Sequence, residues 1–586
     1  MKTLSRKLHE KAHRLLSQEH QILPLPEFKG RGGGLSIALA YPNRYYTAMS
    51  NLGFQAVYWL FNQTPETVCQ RAFLPDPEDI PEYRRTETPL FSLESQRPVR
   101  SFDILAFSVS YENDYPHLLT MMDLAGIPLL RKDRAESDPL VMAGGAAIMM
   151  NPEPLADFVD FFVIGEAEEV IDPLTESLRK GREKGWSREA LLSDLTGLEG
   201  VYVPRFYTLT YQPDGTIESF TPKEGFPARV KKAWLKDLNA SVTVSPIVTP
   251  NTELSNMLLL ELSRGCRRGC RFCAGCYAYF PYRHRDAGLL EKAAVLGKGR
   301  AEKVGLVGAA ISDYPGILSL GREILQDKIP LSFSSLRVDS LSPELADLAF
   351  QSGQKTITLA PETGSERMRR ILKKGFTEET ILGAVETLAE RGFKNFRLYF
   401  MVGLPEESRG DVKAIIDLTR KIQHHALVKS PGKKKAEKIT ISVNSFVPKP
   451  GTPFQWHPFE ELRGLNEKMK LIKDGFRKDR NISVTADLPK WAYLQNLLSR
   501  GDRRVGRLLL AAHKLGGNWP QAYRSVDVNP DFYVYRGRTF EEILPWDFID
   551  QGVKKEYLWK EYRAALQEGE MTREQGSRQK QQGNEG

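Results

Sequence analysis

The sequence predicts an α/β protein made of a doubly wound parallel sheet, then an open, partial (β/α)6 barrel, then a mostly helical carboxyl-terminal region. Three observations lead there. Apolar runs of strand length alternate with helical periodicity over residues 31–180. The same alternation resumes as six strand and helix units within residues 251–456. After residue 457 the pattern turns helical, with arginines at 500, 503, 504 and 507 reading as a basic face. A chain of 586 residues exceeds a single core, so several folding units are expected.

Taken in order, residues 1–30 read as a short basic helix from Arg6 to Gln18 and a Pro-rich connector, Leu23-Pro-Leu-Pro26. Strands are expected at 34–41, 102–110, 139–145 and 161–166, each followed by a helical pattern. The ligand crevice of such a sheet lies beyond the carboxyl ends of its strands, where Ser108, Gly144, Gly145, Gly165 and Glu166 fall. A strand ending in Gly-Gly brings its backbone close to a flat or phosphorylated ligand. Residues 181–250 read as a bridge, with a helix over 187–195 and short strands around the Gln212-Pro-Asp-Gly215 turn. Barrel strands follow at 256–262, 303–308, 330–335, 355–360, 395–402 and 438–444. Residues 457–566 read as a helical cap, and the polar tail 567–586 as disordered.

Four of the five cysteines lie in the loop after the first barrel strand, at 266, 270, 273 and 276. C-x3-C-x2-C lets one tight loop aim three thiolates, Cys266, Cys270 and Cys273, at the corners of one iron-sulfur cube, leaving the fourth iron without a protein ligand. A zinc site takes four ligands in two separated pairs, and here only the distant Cys69 and the outlying His284 remain. A disulfide framework does not crowd into one loop. Cys276 either closes the cube, making an electron-transfer centre, or stays a free thiol beside it. The second is the reading taken here.

This loop, with Phe272 before its third cysteine, resembles that of the radical S-adenosylmethionine (SAM) superfamily. Later segments match in the expected order. Gly308-Ala-Ala-Ile-Ser-Asp-Tyr314 is similar to the turn that receives the methionine amino group, though the Glu of the common Gly-Gly-Glu is missing. Pro361-Glu-Thr-Gly-Ser-Glu-Arg-Met368 puts Glu362 at a strand end and Ser365 at a helix cap. Tyr399-Phe-Met-Val-Gly-Leu-Pro-Glu-Glu407, with Met401 and Gly403, resembles the adenine-contacting segment. Pro450-Gly-Thr-Pro453 resembles the methylthiotransferase branch.

The first domain resembles the B12-binding module that precedes the catalytic domain in many such enzymes, through Ala143-Gly-Gly145 and Ile164-Gly-Glu-Ala167. Its usual Asp-x-His-x-x-Gly is absent from the loop 42–53. Residues 31 to about 565 are together similar to a bacterial group of radical SAM proteins with a B12-binding-like amino-terminal domain. The resemblance implies a [4Fe-4S] cluster on Cys266, Cys270 and Cys273 and SAM at the open iron. It further implies reductive cleavage to methionine and a 5′-deoxyadenosyl radical, and a flavodoxin or ferredoxin as reductant. Cobalamin is a further implied cofactor, with its lower face unligated or ligated by another residue.

Arg264, Arg267, Arg268 and Arg271 around the loop are expected to favour thiolates. Net charge is +8, from 82 basic and 74 acidic residues, which permits an RNA substrate without arguing for one. No apolar run reaches the roughly eighteen residues that span a bilayer. Sparing cysteine use points to the reducing cytoplasm. Lys433-Lys-Lys435 reads as a solvated loop and His424-His425 as surface helix.

Overall fold

The computed structural model describes residues 5–25, 34–431 and 438–584, the side chains of 572–584 excepted. The Lys433–435 loop therefore lies outside the described residues. Helix α1, Arg6–Ser17, leads into a six-stranded sheet: β1 Leu35–Tyr41, β2 Thr67–Phe73, β3 Ile104–Ser108, β4 Leu140–Gly144, β5 Phe161–Val163 and β6 Val201–Tyr202. The order is β2-β1-β3-β4-β5-β6, with β6 antiparallel and the rest parallel. Helices α2, Leu52–Gln63, α3, Tyr115–Ala125, and α4, Ile171–Glu183, pack the faces. Strands covered on both faces read as near-continuous apolar runs, as β1 and β3 do. β2 is the exception that the sequence reading missed. It carries Gln70 and a fully buried Arg71, whose guanidinium is held by Glu19 at 2.7 Å and Glu94 at 2.6 Å.

The second unit holds seven parallel strands in two sheets. β7 Met257–Glu261, β8 Lys303–Val307 and β9 Leu331–Phe333 form one, in that order. β10 Thr356–Glu362, β11 Asn395–Val402, β12 Lys438–Ser445 and β13 Ile482–Ala486 form the other. A parallel bridge between Leu336 and Leu359 joins them, so the barrel runs from β7 to β13 and stays open between its ends. The six strands expected are there. β13 extends the wall from a segment read as helical, because Ile-Ser-Val-Thr-Ala is too short to show its own period against the helices around it.

Two further expectations change. The tail read as disordered from residue 567 continues a long helix over Lys555–Asn584. It is held at Ala565, fully buried, and by Glu568, whose carboxylate accepts from Arg370 at 2.7 Å. The basic face of the carboxyl-terminal helices is largely consumed. Arg500 is fully buried, Arg503 pairs with Glu153 at 3.2 Å, and Arg504 pairs with Asp502 at 2.6 Å, which leaves Arg507 exposed.

Candidate functional site: a cysteine loop beside an interdomain cavity

β7 hands the chain to a two-stranded ribbon, Ser263–Arg264 against Arg283–His284, that closes the base of the cysteine loop. Gly265 enters the loop at φ +75°, where a Cβ would lie 2.5 Å from the Tyr279 carbonyl, so only glycine fits. The short helix α5, Ala274–Ala278, ends it. Three outside contacts fix its position. Lys232 Nζ donates to the carbonyls of Ala278 and Phe280 at 2.8 and 2.9 Å. The Arg271 amide donates to the Leu372 carbonyl at 3.1 Å and its guanidinium to that of Ile371 at 2.8 Å. Glu561 of the long carboxyl-terminal helix accepts from Arg271 at 3.0 Å and from Lys373 at 2.8 Å.

Interaction with the Cys276 thiol is the largest influence on Cys266, Cys270 and Cys273. It draws Cys266 down to about 6 and Cys270 to about 7, lowers Cys273 as well, and pushes Cys276 itself far up. The charge of Arg337 is felt at Cys266 and Cys270, and that of Lys374 at Cys270. The arginines expected to supply this field are engaged elsewhere. Arg264 is held by three carboxylates, Arg268 by Asp313 and Asp339 at 2.6 and 3.0 Å, and Arg271 by Glu561; Arg267 lies over the Tyr282 ring at 4.5 Å. Cys69 is a different kind of thiol, fully buried in β2 and raised by desolvation.

The donor set fits an iron-sulfur cube. Metal binding needs deprotonated sulfur, and the three thiols of the loop are all shifted toward the thiolate. Among the described residues no group of three or more His, Cys, Asp or Glu side chains is drawn together to hold a single ion. A cube spaces its ligands more widely than one ion does.

A cavity of about 690 Å³ runs from this loop to the carboxyl edge of the first sheet. Ser108, Gly144, Gly145, Gly165, Glu166 and Gly308 all line it, as do Gly265 and Gly275 of the loop and an apolar wall from α2. No histidine is among its lining residues. Gly145 at φ +109° and Gly165 at φ +136° are demanded by the protein's own backbone: a Cβ would meet the carbonyl of Val109 at 2.5 Å in one case and of Ala233 at 2.1 Å in the other. Glu166 is a clamp between the two units. It accepts from Arg264 at 2.9 Å and Arg283 at 2.6 Å. Burial alone would raise this carboxyl, but the two guanidinium groups outweigh it and hold the group below the usual carboxylate range.

Phe272, Glu362, Ser365, Met401 and Gly403 do not line this cavity. Lys374 connects two of them, sitting 3.0 Å from Glu362 and 5.8 Å from the Phe272 ring centre. Glu362 ends β10 at φ +66°, a strained conformation for a non-glycine residue that is common at working sites. Ser365 caps helix α6, Glu366–Ile371, accepting from the Met368 amide, and donates to Asp411 at 2.5 Å. Gly403, at φ +83°, donates its amide to Glu407 at 2.8 Å. No local pattern singles out Lys232, Arg283 or Arg337, whose roles depend on contacts far along the chain.

Beside Ser365, a Cβ on Gly364 would stand 2.1 Å from the backbone of Ala414 and Ile415, in the helix Arg409–Lys429. Overpacking against backbone costs about 1–3 kcal/mol or more. Gly364→Ala therefore lowers the denaturation midpoint measurably, and a variant as stable as the parent contradicts this packing.

Residues 53–204 match the family profile described as radical SAM proteins, N-terminal, and residues 260–419 match that of the radical SAM superfamily. An uncharacterised protein of Methanocaldococcus jannaschii is 29% identical over 481 residues, covering 81% of this chain and 90% of that one. An uncharacterised methyltransferase of Pyrococcus horikoshii is 24% identical over 320 residues, 52% of this chain and 62% of that one. Among solved structures, the cobalamin-dependent SAM radical enzyme OxsB, with aqua-cobalamin and SAM bound, superposes with a TM-score of 0.46 at 13% identity, covering 94% of this chain and 80% of that one. The cysteine loop and both profile matches make this chain a radical SAM enzyme, a member of that superfamily carrying the family's N-terminal domain ahead of its cluster domain.

Proposed function

We propose that the chain binds a [4Fe-4S] cluster through Cys266, Cys270 and Cys273 and uses it with SAM to modify a macromolecule, RNA in the first instance. The observation that carries this reading is the meeting of a loop bearing three closely spaced cysteines with a large cavity at the carboxyl ends of the first sheet and of β7 and β8. Cluster and SAM, when bound, supply reductive cleavage to a 5′-deoxyadenosyl radical. The chain's own residues bind and position them. The three thiolates hold the iron, Glu362 is set at the strand end for the SAM ribose or amino group, and the Gly403 turn is ordered by Glu407 beside the adenine segment. The closed base of the loop and the Glu166–Arg264–Arg283 clamp hold the cysteine loop against the first sheet.

With most of the arginine face consumed, the RNA substrate is supported by the Pro450-Gly-Thr-Pro453 strand end and the open barrel. Comparing modified nucleosides between a deletion strain and its parent tests it. A missing modification supports RNA, and identical profiles remove it.

A second reading, cobalamin-dependent radical methylation, is favoured by the cavity itself, which opens at the switch point of a β2-β1-β3 sheet where flat cofactors bind. With no histidine in the lining, a corrinoid would sit without a lower axial imidazole. Protein from cells grown with B12 would carry corrinoid absorbance, and a blank spectrum counts against this reading.

Cys276 separates a third reading, an iron-sulfur electron carrier. As a free thiol beside the cluster it is dispensable for assembly, so Cys276→Ala keeps its full iron content. Loss of the cluster in that variant makes Cys276 a fourth ligand and removes the SAM-cleaving reading.

A further inference from the structure

The carboxyl-terminal cap buries two guanidinium groups, Arg500 and Arg538, that make no ion pair among the described residues. Helix Pro489–Arg500 places Asn496 and Arg500 one turn apart on one face, and both are fully buried. Arg500 Nη1 donates to the His457 carbonyl at 2.6 Å, but its Nε and Nη2 have no partner. Arg538, 6% exposed, donates its amide to the Trp456 carbonyl at 3.0 Å and its Nη2 to the carbonyls of Tyr533 and Arg500 at 3.0 and 3.4 Å. Its Nη1 is unpartnered, as are both amide atoms of Asn496 and the indole N–H of the fully buried Trp456. Arg500 and Arg538 thus both bond the short stretch Trp456-His457, and Asn496 lies one turn before Arg500 on its helix.

The carboxylates nearby are spoken for. Glu542, whose charge reaches Arg538, accepts both arms of Arg536 at 2.6 and 2.7 Å. Asp502 is held by Arg504 at 2.6 Å and by the Tyr533 hydroxyl at 3.0 Å. His457, half-buried, lies against the Tyr562 hydroxyl at 3.2 Å and brings no negative charge. A buried guanidinium keeps its charge and demands either an anion or complete hydrogen bonding. Unpaired buried donors in a folded protein mark an ion or water that belongs there.

We propose that Arg500, Arg538, Asn496 and the Trp456 indole form an internal site for a small inorganic anion, either a halide or a tetrahedral oxyanion. It would fasten the cap to the strand end that carries Pro450-Gly-Thr-Pro453. Its recognition chemistry is guanidinium and N–H donation to a compact negative charge.

The test is thermal unfolding of the full chain in gluconate at constant ionic strength, titrated separately with chloride, sulfate and phosphate. Wild type melts higher as the preferred anion is added, rising by about 1 °C per tenfold concentration above its dissociation constant, and the three arms identify which anion is held. Asn496→Asp supplies a built-in carboxylate. It melts higher than wild type in gluconate alone and no longer responds to the anion. Crystals soaked in bromide show an anomalous peak between Arg500 and Arg538. Water filling the space would leave the melting temperature independent of anion identity and the peak absent. Either that flat titration or an Asn496→Asp variant that melts lower in gluconate, as a bare buried carboxylate would, overturns the proposal.

Discussion

Cys270→Ala leaves reconstituted protein with background iron, no iron-sulfur absorbance and no SAM cleavage, while far-ultraviolet dichroism stays that of the parent. Cys270 is buried under the loop and ionises near neutrality, with Arg337 and Lys374 nearby. Two remaining thiolates cannot hold a cube that already lacks a protein ligand on its fourth iron. The fold survives because the loop is anchored independently, by Lys232 at one end and by Arg271 on the Ile371–Leu372 turn at the other. Cys69→Ala is the control. That thiol is buried in β2, remote in role from the loop, and iron content stays at the parent level. Iron content near the parent's in Cys270→Ala would contradict the ligand assignment.

Arg264→Ala is the most damaging substitution away from the thiols. Arg264 bonds Glu166 at 2.9 Å, Glu168 at 2.5 Å and Glu261 at 3.0 Å, joining the end of the first sheet to the end of β7. Arg283 still neutralises Glu166 and Arg285 still neutralises Glu261, but Glu168 is left buried without its partner. Removing one member of a buried ion pair costs about 3–5 kcal/mol, because the orphaned charge stays behind. Denaturant midpoints at neutral pH measure the loss, and it shrinks in Arg264→Ala/Glu168→Gln, where no unpaired charge remains. A single variant within about 0.5 kcal/mol of the parent, the usual range for surface changes, would show that the clamp carries no weight.

How much of this was legible in the sequence depends on whether local pattern or distant contact decides each residue. β1, β3 and the barrel strands announce themselves because a strand covered on both faces must be apolar throughout. β2 does not, since Arg71 sits in it and is paid for by Glu19 and Glu94 from outside the sheet. The cysteine spacing points to the proposed cluster ligands, because that chemistry is local to one loop. The field around them was not legible: Arg337 and Lys374 reach the thiols from the segments that follow β9 and α6, while the loop's own arginines are engaged elsewhere. Gly145 and Gly165 stood out as ligand-approach glycines, yet their missing side chains make room for Val109 and Ala233. Glu166 looked like a crevice carboxylate, and its two arginine partners come from the two strands of a ribbon about a hundred residues later. The long carboxyl-terminal helix was hidden by its polar composition, which conceals the buried Ala565 and the ion pairs of Glu561 and Glu568.

The measurement that tests the central claim most directly is anaerobic reconstitution of the full chain with iron and sulfide, followed by reductant and SAM, with 5′-deoxyadenosine quantified by chromatography. Wild-type protein produces deoxyadenosine and methionine together, and Cys266→Ala, Cys270→Ala and Cys273→Ala produce none. A cluster-loaded wild type that forms no deoxyadenosine, or a Cys270→Ala variant that forms it undiminished, would contradict the account.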